Sequence, residues 1–328
     1  MTTRELSSRP STGTTRKVLG DMVRVMTRLS ANLMLLAAAI IWGSAFVAQS
    51  TAMASMGPVW FVGLRFLIAA LCVAPFAWVE SRHAATPLQK SMMRPVLLIS
   101  AAFFLGGVLQ QIALTATSIT NAGFITGLYV LFVPLIGWVF FRERPPHVIG
   151  FAVAMALAGT WALSVAGAKT ATPPMAGVGM GPIGDLLAFG GALCWAVQLS
   201  LIGRLGASTG RPMAIALMQF LITGVAGVIF GLAFETISFS AISAAWIELL
   251  YVGAISGGIA FTFQVIAQSH TGASEAAVIL SSEALFAALF GAILMGETMG
   301  SLGWIGAGLI FAAILIVQVP AFQPAPKN

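Results

Sequence analysis

The stretch ILSSEALFAALFGAIL, residues 279–294, is apolar almost throughout, yet it contains the carboxylate of Glu283. On a soluble helix such a side chain could simply point into water. At the centre of a membrane-crossing helix a charged group costs about 2.5–3.5 kcal/mol on insertion scales, so it has to face protein or a water-filled cavity. What Glu283 implies therefore depends on whether the rest of the chain is built for a membrane.

The composition is that of a helical membrane protein. Of 328 residues, 59% are hydrophobic and 8% are charged, whereas soluble domains carry about 25% charged residues. The apolar runs are long and continuous, unlike the short alternating strands of a β-barrel. A net charge of +6 then indicates basic cytoplasmic loops, and no nucleic-acid partner is expected.

Ten apolar stretches are long enough to cross a bilayer as helices, which takes about 20 residues each. We number them segments 1 to 10 in chain order. They cover residues 32–51, 58–79, 95–115, 119–141, 147–166, 185–203, 212–234, 246–268, 273–294 and 300–320. Residues 1–30 and 321–328 are predicted to be tails, the first of them basic.

The basic residues predict the orientation of these segments. With both termini in the cytoplasm, 14 of the 16 Lys and Arg residues fall on the cytoplasmic side, the bias that membrane insertion favours. They are Arg4, Arg9, Arg16, Lys17, Arg24, Arg28, Arg82, Lys90, Arg94, Arg142, Arg144, Arg204, Arg211 and Lys327. Lys169 is left outside, and Arg65 lies within segment 2. We therefore expect a multi-pass protein of the cell membrane, the inner membrane in a bacterium.

An internal repeat relates the two halves of the chain. LRFLIA (64–69) parallels MQFLIT (218–223), IWGSAF (41–46) parallels CWAVQL (194–199), and FFRERP (140–145) parallels LMGETM (294–299), all at an offset of 153 or 154 residues. Each half, 31–168 and 185–320, holds five segments, with 169–184 as an extracytoplasmic linker. An odd number of crossings inverts the second half, which predicts two inverted five-helix repeats, an arrangement of secondary transporters.

The same stretches, taken in order, resemble the EamA branch of the drug/metabolite transporter superfamily. The resemblance rests on IWGSAFV in segment 1, LRFLIAA in segment 2, and RER and GET at the ends of segments 4 and 9. It implies a carrier of small metabolites, often amino acids, and often in the outward direction. Relatives commonly carry a Glu-Pro pair in segment 9. Here Glu283 matches the glutamate but Ala284 replaces the proline, so a helix-breaking role of that proline does not carry over.

Two charged residues inside the segments have alternative interpretations. Glu283 lies ten residues, about 15 Å, into segment 9. It either lines the transport path, holding a substrate ammonium or a coupling proton, or anchors a neighbouring helix. Arg65 lies about seven residues from the outer end of segment 2. It either binds a substrate carboxylate, or extends to the interface or pairs structurally.

Uncharged residues complete the predicted substrate path. Trp42 and Trp195 lie too deep for the interface and form either an aromatic wall of a central site or helix packing. Polar side chains cost free energy in lipid unless they are hydrogen-bonded, so together they predict a weakly polar cavity, although each alone is as well explained by contacts between helices. They are Gln110, Gln111, Asn121, Tyr129, Gln198, Gln264 and Ser282.

These residues predict a secondary transporter that moves small metabolites by alternating access about a midplane site. Amino acids come first, apolar or aromatic ones above all, and export is expected. The alternative is a lipid-substrate flippase or a non-transporting membrane partner protein. There is no Walker A or Gly-x-Ser-x-Gly sequence, and Cys72, Cys194 and three scattered histidines predict no metal site. Neither an enzyme nor a cofactor is therefore expected, protons are the one candidate co-substrate, and no oligomeric state is predicted.

Overall fold

A computed structural model describes residues 28–84, 88–116, 119–167, 181–296 and 300–318. Within these ranges all regular structure is helical and there is no strand. Residues 1–27 of the first predicted tail, the whole second tail and most of the predicted linker lie outside the described residues, as does Glu297, the predicted repeat mate of Glu143.

Every predicted segment coincides with helix, although several helices run further than the apolar stretch. Segment 6, for example, begins at Gly181, inside the predicted linker. In order, the helices are Arg28–Ala52, Pro58–His83, Met93–Ala116, Ile119–Gly127 with Tyr129–Phe141, His147–Gly167, Gly181–Thr209, Pro212–Phe234, Trp246–Leu250 with Tyr251–Ala260 and Phe261–Gln268, Ala273–Leu280 with Glu283–Met295, and Ser301–Gln318. Short helices at Lys90–Met92 and Phe239–Ala244 lie in the connections before segments 3 and 8.

Eight of the segments are long and apolar enough to cross a membrane. In segments 5 and 10 the comparable apolar helices are shorter, His147–Ala162 and Ser301–Ile316. The chain is therefore an all-helical polytopic membrane protein, while ten crossings, inverted repeats and cytoplasmic termini stay predictions.

The packing of the segments is paired. Segment 2 lies along segment 7, and segment 5 along segment 10, so these repeat mates contact each other. Segments 3 and 4 both pack on segment 6, and their predicted repeat mates, segments 8 and 9, both pack on segment 1, the mate of segment 6. The contacts of one half therefore have counterparts in the other half, as a twofold relation between the halves would produce.

Two glutamates join segments 2 and 7 at both ends. The Glu235 carboxylate, directly after segment 7, accepts two backbone N–H groups at the start of segment 2, and the Glu80 carboxylate accepts two at the start of segment 7. The donors, at 2.8–3.0 Å, are Val59, Trp60, Met213 and Ala214. These N–H groups have no partner within their own helix and carry the positive end of the helix dipole, so a carboxylate stabilises them. The donors are related by the repeat offset of 154 residues, and the two glutamates lie 155 residues apart.

Aromatic rings fill the centre of the bundle. Phe66 and its repeat mate Phe220 stack with ring centroids 5.8 Å apart. Phe103 meets the edge of Phe261 at 4.9 Å, and Trp195 lies 5.1 Å from Phe103. This layer of large apolar side chains from segments 2, 3, 6, 7 and 8 supports one side of the candidate site described below.

Segments 4 and 9 are interrupted at matching positions. The first is interrupted at Leu128 and the second at Ser281 and Ser282, where backbone bonds tighten to the i−3 spacing. In segment 9 both serine hydroxyls donate to carbonyls three residues back, at 2.8 and 2.7 Å. Such side-chain bonds compete with the helical ladder, so the interruption before Glu283 occurs without a proline at position 284.

Segment 8 contains a wide helical stretch, Tyr251–Ala260, with π-helical i−5 bonding. Its glycines lie against segment 2, where a Cβ on Gly253 would come within 2.8 Å of the Ile68 side chain. Long π-helical runs are rare and frequently occur at functional sites. The stretch leads directly to the cavity residue Phe261.

We predict that Gly227→Ala destabilises the pairing of segments 2 and 7. A Cβ on Gly227 would lie 2.4 Å from the Cα of Gly63, backbone against backbone. Overpacking of this kind costs about 1–3 kcal/mol, so the thermal unfolding midpoint in detergent should fall by several degrees.

Gly308→Ala is the matched control, because none of the described residues lies within 4 Å of the added methyl group there. Equal unfolding midpoints for the two variants would show that the close approach of segments 2 and 7 contributes little.

Candidate functional site

A cavity of about 50 Å³ lies inside the bundle, between segments 1, 2, 3, 4, 6, 8 and 9. It has room for a few water molecules and is smaller than the roughly 300–1000 Å³ of typical ligand pockets. Its lining consists of Trp42, Phe46, Gln49, Arg65, Gln110, Thr126, Tyr129, Trp195, Leu199, Ser256, Phe261 and Glu283. The structure thus brings together both charged candidates, both deep tryptophans, and two of the polar candidates, Gln110 and Tyr129.

Glu283 begins the second helix of segment 9 and faces the cavity. Its side chain is only 4% exposed, and Oε1 has no hydrogen-bond partner among the described residues. The carboxylate forms no ion pair in this part of the chain. Its position in the first turn of a helix is favourable for a negative charge, yet a cation or a proton is still needed to balance the charge inside a membrane.

Tyr129, the repeat mate of Glu283, begins the second helix of segment 4. The hydroxyl lies close enough to interact with the Glu283 carboxylate, but it makes no hydrogen bond of normal geometry with a described residue. The two interrupted helices therefore present an acid and a phenol to each other across the cavity.

Arg65 is buried within the bundle, with 5% exposure, and faces the cavity. Its guanidinium donates to Gln49 Oε1 at 2.5 Å and lies over the Phe66 ring, 4.6 Å from its centroid. Nε has no partner, and no described carboxylate pairs with the guanidinium. The cavity thus contains a buried cation whose positive charge no described residue neutralises.

Aromatic rings form much of the remaining wall. Trp42 lies 4.6 Å from Phe261, ring centroid to centroid, and Trp195 lies 6.0 Å from the same ring. The Trp42 indole N–H donates to the Ser256 carbonyl at 3.2 Å, in the π-helical stretch. The Trp195 N–H has no described partner. The tryptophans therefore pack between helices and also line the cavity, so the two interpretations of them are compatible.

Four other predicted path residues do not line this cavity. Gln111 donates to the Gln49 carbonyl, and Ser282 to the Ile279 carbonyl. Gln198 and Gln264 belong to a separate cluster of buried amides. This amide cluster comprises Gln198, Gln219, Gln264 and Gln268, joined at 3.1–3.4 Å. Asn121 lies in the first helix of segment 4, but its side chain is outside the described part of the chain.

The sequence interpretation missed half of the lining. Gln49 carries a signal that was available, a polar side chain in an apolar segment. Phe46, Thr126, Leu199, Ser256 and Phe261 carry none, because small or apolar residues facing a cavity have the same sequence pattern as residues in a packed core. Among the described residues no group of His, Cys, Asp and Glu side chains could hold a metal ion.

Apolar helices long enough to cross a membrane surround a buried charged cavity, and two of the segments are interrupted beside it. Interrupted helices beside a central site are common in secondary transporters. The model of the EamA-like transporter family matches residues 29–165 and again 182–319. The chain belongs to the EamA-like transporter family and is a multi-pass integral membrane protein.

Relatives and a solved structure agree with this assignment. A protein of Archaeoglobus fulgidus described as an uncharacterized transporter is 31% identical over 89% of this chain and 87% of its own length. The uncharacterized transporter YwfM of Bacillus subtilis is 25% identical over 88% of this chain and 93% of its own. A crystal structure superposes with a TM-score of 0.71 at 19% identity, over 89% of this chain and 97% of the other, and so supports the fold alone. Family and names indicate a transporter and not an enzyme.

Proposed function

We propose that the chain is a secondary carrier of amino acids, apolar or aromatic ones first, which exports them by alternating access about the central cavity. The observation that carries this proposal is a pair of opposite charges in one small cavity. Arg65 and Glu283 both line it, and neither forms an ion pair with the other or elsewhere in the described chain.

A zwitterion is the ligand that satisfies both groups. Breaking a buried ion pair typically costs 3–5 kcal/mol, because it leaves an uncompensated charge. A free α-amino acid brings a carboxylate for the Arg65 guanidinium and an ammonium for the Glu283 carboxylate. An amine or an acid alone would neutralise only one of the two.

The wall of the cavity favours an apolar or aromatic side chain. Trp42, Trp195 and Phe261 offer rings for stacking and apolar contact, which supports amphiphilic substrates. The cavity of about 50 Å³ has to widen before an amino acid fits. Motion at the interruptions of segments 4 and 9 would widen it, since Tyr129 and Glu283 begin the helices on their far side.

Alternating access is supported by the relation between the halves. The family model matches twice in succession, and the segment contacts come in exchangeable pairs. The backbone N–H groups of Val59 and Met213, each bound by a glutamate, are 154 residues apart, which is the repeat offset. An inverted repeat lets one half adopt the conformation of the other, which exposes a midplane site to each side in turn. The bias of the basic residues supports cytoplasmic termini and a location in the cell membrane, the inner membrane in a bacterium.

Proton coupling follows from the position of Glu283. A carboxylate inside the membrane is ionised at a large cost unless a cation is bound. When no substrate ammonium is present, a proton can neutralise it. The two cations then compete for one group, and outward movement of substrate would be exchanged for inward movement of a proton.

The test is flux of radiolabelled phenylalanine or leucine into liposomes that contain only this protein. We expect saturable uptake that an imposed pH gradient accelerates, with substrate moving against the proton. Protein-free liposomes provide the background rate.

Lack of flux across a broad amino-acid panel, with the protein folded, would contradict the proposal. The alternatives of a lipid flippase or a non-transporting partner protein would then be tested with fluorescent phospholipids.

A further inference from the structure

A second cavity, of about 350 Å³, opens at one end of the bundle. We call it the cleft. It lies where segments 1, 5 and 9 begin and segments 4 and 6 end, and its charged lining is Arg28, Glu143, Arg144, Arg204, His270 and Glu275. Its volume is within the roughly 300–1000 Å³ range of ligand pockets, so an amino acid fits there while the central cavity is still contracted.

The cleft continues the line of the central cavity along three helices. In segment 4 the cavity is lined by Tyr129 and the cleft by Val133, four residues and about 6 Å further along. Segment 6 passes from Leu199 to Arg204, and segment 9 from Glu283 to Glu275, in the same direction.

Buried residues lie between the two linings along these helices. They include Val130, Ile202 and Ile279, none of which has exposed surface. The cleft and the central cavity are thus separate, with buried side chains in the intervening turns.

Two ion pairs hold the walls of the cleft. Arg28 pairs with Glu275 and joins segment 1 to segment 9, and Arg204 pairs with Glu143 and joins segment 6 to segment 4. Asn32 also donates to Glu275, at 2.9 Å. Both carboxylates of the cleft are thus neutralised by these arginines.

Two basic side chains of the cleft stay available. Arg144 and His270 enter no ion pair among the described residues. His270 Nδ1 lies 2.8 Å from the Ser269 hydroxyl and 3.1 Å from the Ile266 carbonyl. Nε2 donates a hydrogen bond to a carboxylate when the ring is protonated. The groups of the cleft that are not engaged in ion pairs are therefore basic, which favours binding of an anion.

We propose that the cleft is a loading site for the substrate carboxylate, with Arg144 and His270 as its ligands, on the cytoplasmic face of the carrier. The inference rests on the proposed function, since it takes the carboxylate to be that of the transported amino acid. Arg144 binds the carboxylate before the barrier opens, and Arg65 takes it over in the central cavity.

A basic residue near a membrane face can also serve topology alone. Arg142 provides the comparison within the same turn. It is exposed, carries the same charge and stands two residues away, but it does not line the cleft. A loading site requires Arg144 and is indifferent to Arg142, whereas a topological role makes the two equivalent.

The experiment measures protection of a cysteine placed in the cleft. Ser274→Cys lines the cleft and is introduced with Cys72→Ala and Cys194→Ala. The purified protein is alkylated with a maleimide in detergent in the presence of phenylalanine, 3-phenylpropionate or phenethylamine. We expect the two carboxylates to slow alkylation and the amine not to. Arg144→Gln should raise the half-protecting concentration about tenfold, the loss of one charged hydrogen bond, and Arg142→Gln should leave it unchanged.

Two further results separate the cleft from the central site. Protection by 3-phenylpropionate should persist in Arg65→Gln, because Arg65 lines the central cavity and not the cleft. Equal half-protecting concentrations in Arg144→Gln and Arg142→Gln, or equal protection by phenethylamine, would overturn the inference. Transport is measured separately in liposomes. Absence of flux in the wild type would refute the proposed function, whereas the alkylation rates test whether the cleft binds a carboxylate.

Discussion

Replacing Glu283 with glutamine is expected to weaken amino-acid binding by about 100-fold, because about 3 kcal/mol is lost when one partner of a buried charge pair is removed. Glutamine has nearly the same shape as glutamate, so the main change is the loss of the charge. The variant should also lose any response to a pH gradient. In the wild type, acidification on the substrate side raises KM, since protons then occupy Glu283. In the variant KM should be independent of pH.

The measurement is KM for phenylalanine in liposomes between pH 5.5 and 8, with 3-phenylpropionate as the internal control. That acid has no ammonium, so its transport should not suffer from the substitution. A Glu283→Gln carrier that still responds fully to the gradient would exclude Glu283 as the proton carrier. Loss of folded protein in parallel with loss of transport would instead identify Glu283 as a structural anchor.

Arg65→Gln should have the complementary effect. The repeat mate of Arg65 is Gln219, buried in segment 7, so glutamine is an accepted residue in this helical environment. We expect about 100-fold weaker binding of amino acids, and an unfolding midpoint that is unchanged or higher, because a buried charge without a carboxylate partner is costly to the fold. A structural arginine would show the opposite, a lower midpoint with intact affinity in the folded fraction.

The two substitutions together form a test that a general loss of activity cannot imitate. Phenethylamine carries only the ammonium, and its transport should be sensitive to Glu283→Gln and insensitive to Arg65→Gln. For 3-phenylpropionate the sensitivities should be reversed. If both analogues lose transport equally in both variants, Arg65 and Glu283 do not bind the carboxylate and the ammonium of the substrate separately.

Much of the fold could be predicted from the sequence because membrane insertion imposes long apolar runs. The ten predicted segments all coincide with helix, and the repeat offset reappears in the contacts of Glu80 and Glu235. The interruption before Glu283 could not be predicted from the family pattern, since Ala284 replaces the usual proline. Here the Ser281 and Ser282 hydroxyls compete with backbone N–H groups for helix carbonyls. The sequence shows that these serines are present, but not that their hydroxyls form these bonds.

The charged part of the candidate site was predictable, and its apolar part was not. A carboxylate or guanidinium inside an apolar run stands out because lipid penalises it, as Glu283 and Arg65 illustrate. Phe261 and Leu199 are ordinary core residues by sequence, and only the fold places them at a cavity. Gln198 and Gln264 fall between these cases, because a buried amide bonds as readily to another amide as to a ligand.

The exchange of caps between segments 2 and 7 has a consequence for biosynthesis. The amino end of segment 2 is completed by Glu235, a residue translated some 175 positions later. The first half of the chain therefore leaves the ribosome with that helix end uncapped. The N–H groups of Val59 and Trp60 are bound by Glu235 only after segment 7 has been synthesised and inserted. Segments 2 and 7 thus complete each other's helix ends, as two subunits do across the interface of a dimer.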